Sequence, residues 1–221
     1  MPDDEGLALT RLAETVSLAS VRGELPPTLV EIGSYCGRSA LYLAAGLARL
    51  EPPVALLLSV DHHHGSEENQ VGWPHHDPEL VDSRTGRMDT LSFFRRAITD
   101  AGADDLVVPV VGESALVASH LAIPLALVFI DGGHGQEPAF GDYRAWAPRL
   151  AEAGYLAIHD VFPDPRDGGR PPYEVYRKAL SGGSFVEEVG LGRGSLRVLR
   201  KKRPHVEVSD DGGSPPWAAT C

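Results

Sequence analysis

Residues 28–37 read TLVEIGSYCG. Apolar residues suited to a strand run into Gly33, and Gly37 follows four positions later. A strand that ends on such a turn, with a helix behind it, lets the backbone approach a ligand closely. Residues 39–50, rich in Ala and Leu, supply the helix. The spacing is G-x-x-x-G and not G-x-G-x-x-G, so the dinucleotide fingerprint is absent. An ordinary strand-to-helix turn would use the same residues, so the stretch alone leaves both readings open.

Working outward, strands are expected at 54–60, 106–111, 125–130 and 155–159, and helices at 6–21, 90–101, 113–121, 137–150 and 173–180. Asp89 is placed to cap the helix at 90–101. Residues 185–189 and 195–199 read as a closing hairpin. Alternation of this kind predicts an α/β fold: one doubly wound, mainly parallel sheet with helices on both faces. Ligands of such sheets bind beyond the carboxyl ends of the strands. Asp61, Glu113, Asp131 and Asp160 all stand at those ends. An acidic residue in the position of Asp61 commonly accepts hydrogen bonds from ribose hydroxyls, which points to a nucleoside-containing cofactor. Glu113 and Ser114 either reach its adenine end or cap the following helix.

Composition narrows the function. The chain has 221 residues, 43% hydrophobic and 23% charged, enough for a sizeable core in one domain. A formal net charge of −11 argues against a nucleic-acid partner, whose binding rests on cancelling phosphate charge. The apolar stretch at 121–130 is too short to span a membrane and contains Pro124. The acidic N-terminus lacks the basic region of a secretory signal, and the two cysteines form no disulfide framework, so a cytoplasmic location is expected. Residues 61–88 are polar and hold five of the nine histidines. A segment of this length is either functional or disordered. Residues 201–221 mix Pro, Gly and Asp behind a basic cluster and are expected to be a flexible tail.

VEIGSYCGRSALYLAAG at 30–46, SVD at 59–61, VVGES at 110–114, FIDGGH at 129–134 and AGYLAIHDV at 153–161 occur in order. Together they resemble the class I S-adenosylmethionine-dependent methyltransferases over residues 28–200. FIDGGH, a helix and then GYLAIHD resemble a branch of O-methyltransferases, several acting on sugars. GSEENQ, GW and HHD in 61–88, with FPDPRDGG and PPY later, further resemble the mycobacterial methylmannose polysaccharide 1-O-methyltransferases. The resemblance implies one domain over residues 1–200, with 61–88 as a substrate-side insert. It implies the strand order 3-2-1-4-5-7-6 with the seventh strand antiparallel. For the cofactor, it implies that Glu31, Gly33 and Gly37 line the methionine end, with Ser34, Tyr35, Ser39 and Asp131 also in the cofactor site. Asp61 would hold the ribose, and Glu113 and Ser114 would lie near the adenine. Related proteins often carry a third glycine where Ser34 or Tyr35 stands here.

Methyl transfer to a hydroxyl needs the oxygen in line with the sulfonium methyl, and a sugar hydroxyl also needs a base, a metal ion or both. His134, three residues after Asp131 in a Gly-Gly loop, has the pKa range of a base. The alternative is a loop histidine that bonds only the backbone. Asp131 and Asp160 end neighbouring strands and together suit magnesium, or else they only orient the cofactor loop. Candidate acceptor contacts are His62, Glu68, Trp73, His159 and Tyr173, although His159 also fits packing or support of a metal ligand, and the insert also fits a solvated acidic loop. The His62-His63-His64 and His75-His76-Asp77 clusters match no zinc motif. Cys36 reads as a packing residue.

The expected function is methyl transfer from S-adenosylmethionine to a carbohydrate hydroxyl, with the 1-OH of a methylated mannoside as one acceptor. Partners are a small-molecule or oligosaccharide substrate, with neither nucleic acid nor membrane. Exposed apolar residues on the first helix leave room for a homodimer. A natural-product or phenolic hydroxyl remains open as acceptor. So do a metal-dependent hydrolase built on the histidine-rich insert and a noncatalytic nucleoside-binding module.

Overall fold

The computed structural model of the chain describes residues 1–73 and 76–203. Its main sheet contains seven strands: β1 (Thr28–Ile32), β2 (Leu56–Asp61), β3 (Val107–Val111), β4 (Leu125–Ile130), β5 (Leu150–Ile158), β6 (Phe185–Glu187) and β7 (Arg197–Lys201). They lie in the order β3-β2-β1-β4-β5-β7-β6. The first five are mutually parallel, and β7 is antiparallel to both of its neighbours. This is the expected 3-2-1-4-5-7-6 order.

Side-chain alternation along the strands builds two cores. Leu29, Leu57, Leu127 and Phe129 point to one face, packing with α1 (Asp3–Val21), α2 (Arg38–Leu47) and α3 (Leu91–Asp100). Val30, Ile32, Val60, Val128 and Ile130 point to the other, packing with α4 (Ser114–His120), α5 (Gln136–Trp146) and α6 (Arg170–Ser181). β4 is buried along its whole length, which is why LALVFI shows no polar alternation. Register aligns Ile32 with Val60 and Ile130, and Ile130 with Ile158. The carboxyl ends therefore share one edge, and the loops after them share one rim.

Several boundaries differ from expectation. α5 stops at Trp146, because Pro148 redirects the chain through a 3-10 turn at Ala147–Arg149. β5 consequently starts at Leu150, five residues earlier than expected. Asp89 accepts the Leu91 N–H at 3.1 Å, while Thr90 is the residue next to α3. The insert has structure of its own. It forms 3-10 turns at Glu67–Asn69 and Pro78–Leu80 and a small ribbon pairing Val81–Asp82 with Arg87–Met88. Strands of two residues leave no readable period. β7 runs to Lys201, whose ammonium donates to Leu150 O at 2.7 Å, so the chain stays in the sheet past residue 200. The rest of the expected tail, from residue 204, lies outside the described residues, as does His75.

Candidate active site

The rim encloses a cavity of about 1150 Å³, lined by the turns after β1 to β5 on one side and by the insert on the other. It includes Gly33, Tyr35, Asp61, Glu113 and Ser114, with Asp77 near Tyr35, and also Asp131, His134 and Asp160, with Glu68 beside His134 and Trp73 in the same lining. Pockets for small ligands run from about 300 to 1,000 Å³, so there is room for a nucleoside cofactor and part of an acceptor.

The glycine turn is held from below and from the side. A Cβ at Gly33 (φ +85) would collide with the Asp131 carbonyl, so only glycine fits where the two loops meet. Tyr35 takes φ 48, a conformation that favours glycine. Asp61 ties the turn down. Its Oδ2 accepts from Ser34 N at 2.9 Å and Tyr35 N at 2.8 Å, and its Oδ1 from His63 N at 2.7 Å. Asp61 still lines the cavity, but with three of its acceptor positions filled from the backbone.

Four residues expected at the cofactor do not line the cavity. Ser34, Gly37 and Ser39 are buried and line no part of the cavity, and Glu31 is fully buried. The Glu31 carboxylate accepts from Ser39 Oγ and, at 2.5 Å, from Ser59 Oγ. Burial pushes it up to about 7 against the opposing pull of those two hydroxyls. The alternation of β1 puts Glu31 on the α2 face of the sheet, so it braces α2 and β2 rather than reaching the rim.

Asp131, His134 and Asp160 converge, with one donor atom from each lying within 4.8 Å of the others. His134 is held at both ring nitrogens. Nε2 lies 2.7 Å from Asp160 Oδ2, and Nδ1 lies 3.1 Å from Glu68 Oε1. The Asp160 contact, against desolvation and with help from Glu68, raises its pKa to about 9. In this state His134 is an imidazolium bridge, not a free base. Asp160 sits at φ 54. Burial works against its charge, yet the close contact with His134 and the neighbouring His159 hold it well below the usual carboxylate range.

His159 is 5% exposed and does not line the cavity. Its Nε2 lies 2.8 Å from Glu5 Oε2, and its Nδ1 lies 3.0 Å from Asp131 Oδ1 and 3.2 Å from Asp160 Oδ1. Neither Nδ1 approach is aligned as a hydrogen bond. Desolvation opposes its charge, but the two aspartates prevail and raise its pKa to about 11. Tyr173 also lies away from the cavity: Arg170 stacks on its ring at 4.4 Å and Arg177 donates to its hydroxyl at 3.2 Å. The hydrophobic face of α6, with Pro172 and Val175 buried, turns Tyr173 along the helix surface. His62, Glu68 and Trp73 line the cavity.

Two site-edge residues have no counterpart in the sequence reading. Glu5, 2% exposed, reaches from α1 to His159, and accepts from Ser195 N at 2.5 Å and Ser195 Oγ at 2.9 Å. No local pattern connects residue 5 to residue 159. Asp142 lies on the buried face of α5 with Ala139 and Trp146, beside Ser114, which accepts the Trp146 indole N–H at 2.8 Å. Burial raises its pKa to about 6, while a hydrogen bond with Ser114 opposes the rise. An acid in an apolar helix stripe is a signal that could have found it.

The donor set fits a hard divalent cation. Asp131 and Asp160 are the oxygen ligands magnesium prefers, both are open to the cavity, and His134 stands beside them. Among the described residues the insert's histidines form no such group. His63 bonds Thr90, His64 bonds Met88 O, His76 bonds Asn69 O, and His62 stacks on His64. The hydrolase alternative therefore has no metal centre in the described part of the insert. Burial also pushes the Cys36 thiol up, in keeping with a packing role.

A family model described as a methyltransferase domain matches residues 30–161, more than half of the chain. The chain belongs to this methyltransferase family, and its sheet is that of the class I S-adenosylmethionine-dependent methyltransferases. Solved structures share the fold. The O-methyltransferase NovP superposes with a TM-score of 0.63 at 14% identity, covering 89% of this chain and 80% of its own. The calicheamicin methyltransferase CalS11 gives 0.63 at 18%, covering 86% and 77%. TomG from Streptomyces achromogenes, solved with S-adenosylmethionine, gives 0.58 at 17%, covering 92% and 82%. Among the described residues no helix is long and apolar enough to cross a membrane.

Proposed function

We propose that the protein transfers the methyl group of S-adenosylmethionine to a hydroxyl of a carbohydrate acceptor. The observation that carries this reading is the single cavity. It joins the turn after β1, with Asp61 and Glu113, to the Asp131–His134–Asp160 group under the polar insert. The cofactor's sulfonium and ammonium suit an acidic rim. Its ribose would meet Asp61 and its adenine Glu113, Ser114 and Asp142. Glu68, Asn69 and Trp73 are side chains that bond and stack on sugars, and they face the reacting end.

The acceptor oxygen displaces S-adenosylhomocysteine from the methyl carbon and gives up its proton. His134 receives that proton in its neutral form at Nε2, once Asp160 releases that nitrogen, while Glu68 fixes the ring through Nδ1. Magnesium, held by Asp131 and Asp160, would supply positive charge that makes the hydroxyl more acidic. One solved relative favours this acceptor class. CalS11 is described as a TDP-rhamnose 3'-O-methyltransferase. The 1-OH of a methylated mannoside is the specific acceptor that the insert motifs favour, and a cytoplasmic location accompanies the reading. The half-exposed Trp73 keeps a flat natural-product or phenolic hydroxyl as the second acceptor class.

The test is His134→Ala in a labelled methyl-transfer assay over a panel of glycosides. Turnover is expected to fall about 100-fold or more, with S-adenosylhomocysteine affinity within about threefold of the parent. An unchanged turnover removes His134 as the base.

A further inference from the structure

Glu5 stands in the first turn of α1 with Asp3 and Asp4. Those two stay in solvent, where an acid already favours the helix N-terminus, but Glu5 is buried. Burying a carboxylate is costly unless its oxygens are satisfied, and here both are. Oε1 accepts from Ser195 N at 2.5 Å and Ser195 Oγ at 2.9 Å, and Oε2 accepts from His159 Nε2 at 2.8 Å. The turn around Ser195 is shaped to receive this carboxylate. Gly194 takes φ +54, and a Cβ there would collide with it. Ser195 also holds the chain just past β5, because its carbonyl accepts from Val161 N at 3.0 Å. α1 itself is fixed against α2, where Thr10 Oγ1 donates to Tyr42 O at 2.8 Å.

The other side of the His159 ring faces the site. Nδ1 lies 3.0 Å from Asp131 Oδ1 and 3.2 Å from Asp160 Oδ1, so one ring stands between the two carboxylates. Two acids this close repel each other. Asp160 also sits at φ 54, a conformation that residues with a side chain seldom adopt. Such an arrangement persists only where the surroundings over-determine it. Apolar side chains packed at this place could be as stable as a buried ion pair, so stability alone does not account for Glu5. From these contacts we propose that Glu5 is a positioning residue for methyl transfer: acting through His159, it sets the spacing of the Asp131 and Asp160 carboxylates and so their hold on magnesium. This rests on the metal site in the reading above. Glutamine keeps the shape of Glu5 but turns one acceptor into a donor, so it cannot accept from both Ser195 and His159.

The test is calorimetric titration of magnesium into the protein saturated with S-adenosylhomocysteine. Glu5→Gln is compared with the parent and with Leu127→Ala, a core truncation that also lowers stability, at a temperature where circular dichroism shows all three folded. Magnesium affinity is expected to fall at least about tenfold in Glu5→Gln and to stay within about twofold in Leu127→Ala. S-Adenosylhomocysteine affinity stays within about threefold in both. Unchanged magnesium affinity in Glu5→Gln overturns the proposal. So does an equal loss in both variants, which is what a merely structural role gives. Because Glu5 acts through His159, adding Glu5→Gln to His159→Asn is expected to weaken magnesium no further, and a fully additive loss contradicts that route. Should Glu5→Gln not fold, Ser195→Ala keeps every charge and removes one donor to Glu5. A loss of about threefold in magnesium affinity is then expected, and no loss overturns the proposal. A parent that binds the cofactor but no magnesium overturns the proposal and the metal role, and leaves the methyltransferase reading standing. A parent that binds neither overturns that reading as well.

Discussion

Glu5 is where α1 meets the acidic edge of the sheet. Its carboxylate is the one partner of His159 Nε2, and His159 in turn stands between Asp131 and Asp160. Removing one member of a buried ion pair costs about 3–5 kcal/mol, since the other is left charged and unpaired. Glu5→Gln keeps the shape and removes the charge. It is expected to lower unfolding free energy by about 3 kcal/mol in a denaturant titration at neutral pH. Loss of less than about 0.5 kcal/mol would mean that His159 is uncharged there. At this scale the sequence showed only part of the site. Asp61, Asp131, His134 and Asp160 are legible because strand ends are legible. For His159 the sequence leaves several roles open, because the partner that fixes its side is Glu5, on a helix 154 positions away in the chain.

The elements were more readable than their contacts. β4 is the clearest case: LALVFI was expected at 125–130 and the strand spans Leu125–Ile130. It lies between β1 and β5 and is buried on both faces, so its apolar run is uninterrupted. Leu127 makes no contact with solvent and packs into the α1–α2 core. Leu127→Ala is expected to cost about 2–5 kcal/mol, measured by chemical denaturation, while a cost under about 1 kcal/mol would contradict the central place of β4. The insert was the least readable element. Its 3-10 turns and two-residue strands are held by individual side chains, such as Asn69 accepting from Ser66 N at 2.9 Å. Such bonds leave no periodic trace.

At the scale of the molecule, buried charge makes stability depend on pH. His159, His134 and Glu31 all have raised values, at about 11, 9 and 7. A raised value means that the folded chain holds its proton more tightly than the unfolded chain. The stability from the histidines is fully present below about 6.5 and is lost as pH rises through 9 and 11. Glu31 adds the same sign between about 4.5 and 7. Asp160, whose value is lowered, acts oppositely, and its contribution is lost on acidification below its ordinary range. In metal-free buffer the melting temperature is therefore expected to peak near pH 4–5 and fall steadily toward pH 10. A melting temperature that is flat or rising from pH 6 to 10 contradicts the charged state of His159 and His134.

The central claim is that one cavity holds the cofactor beside Asp131, His134 and Asp160. The most direct measurement is calorimetric titration with S-adenosylhomocysteine, with and without magnesium. The account predicts one binding site per chain at micromolar affinity, with a magnesium-linked change in affinity. No binding in either condition would contradict it.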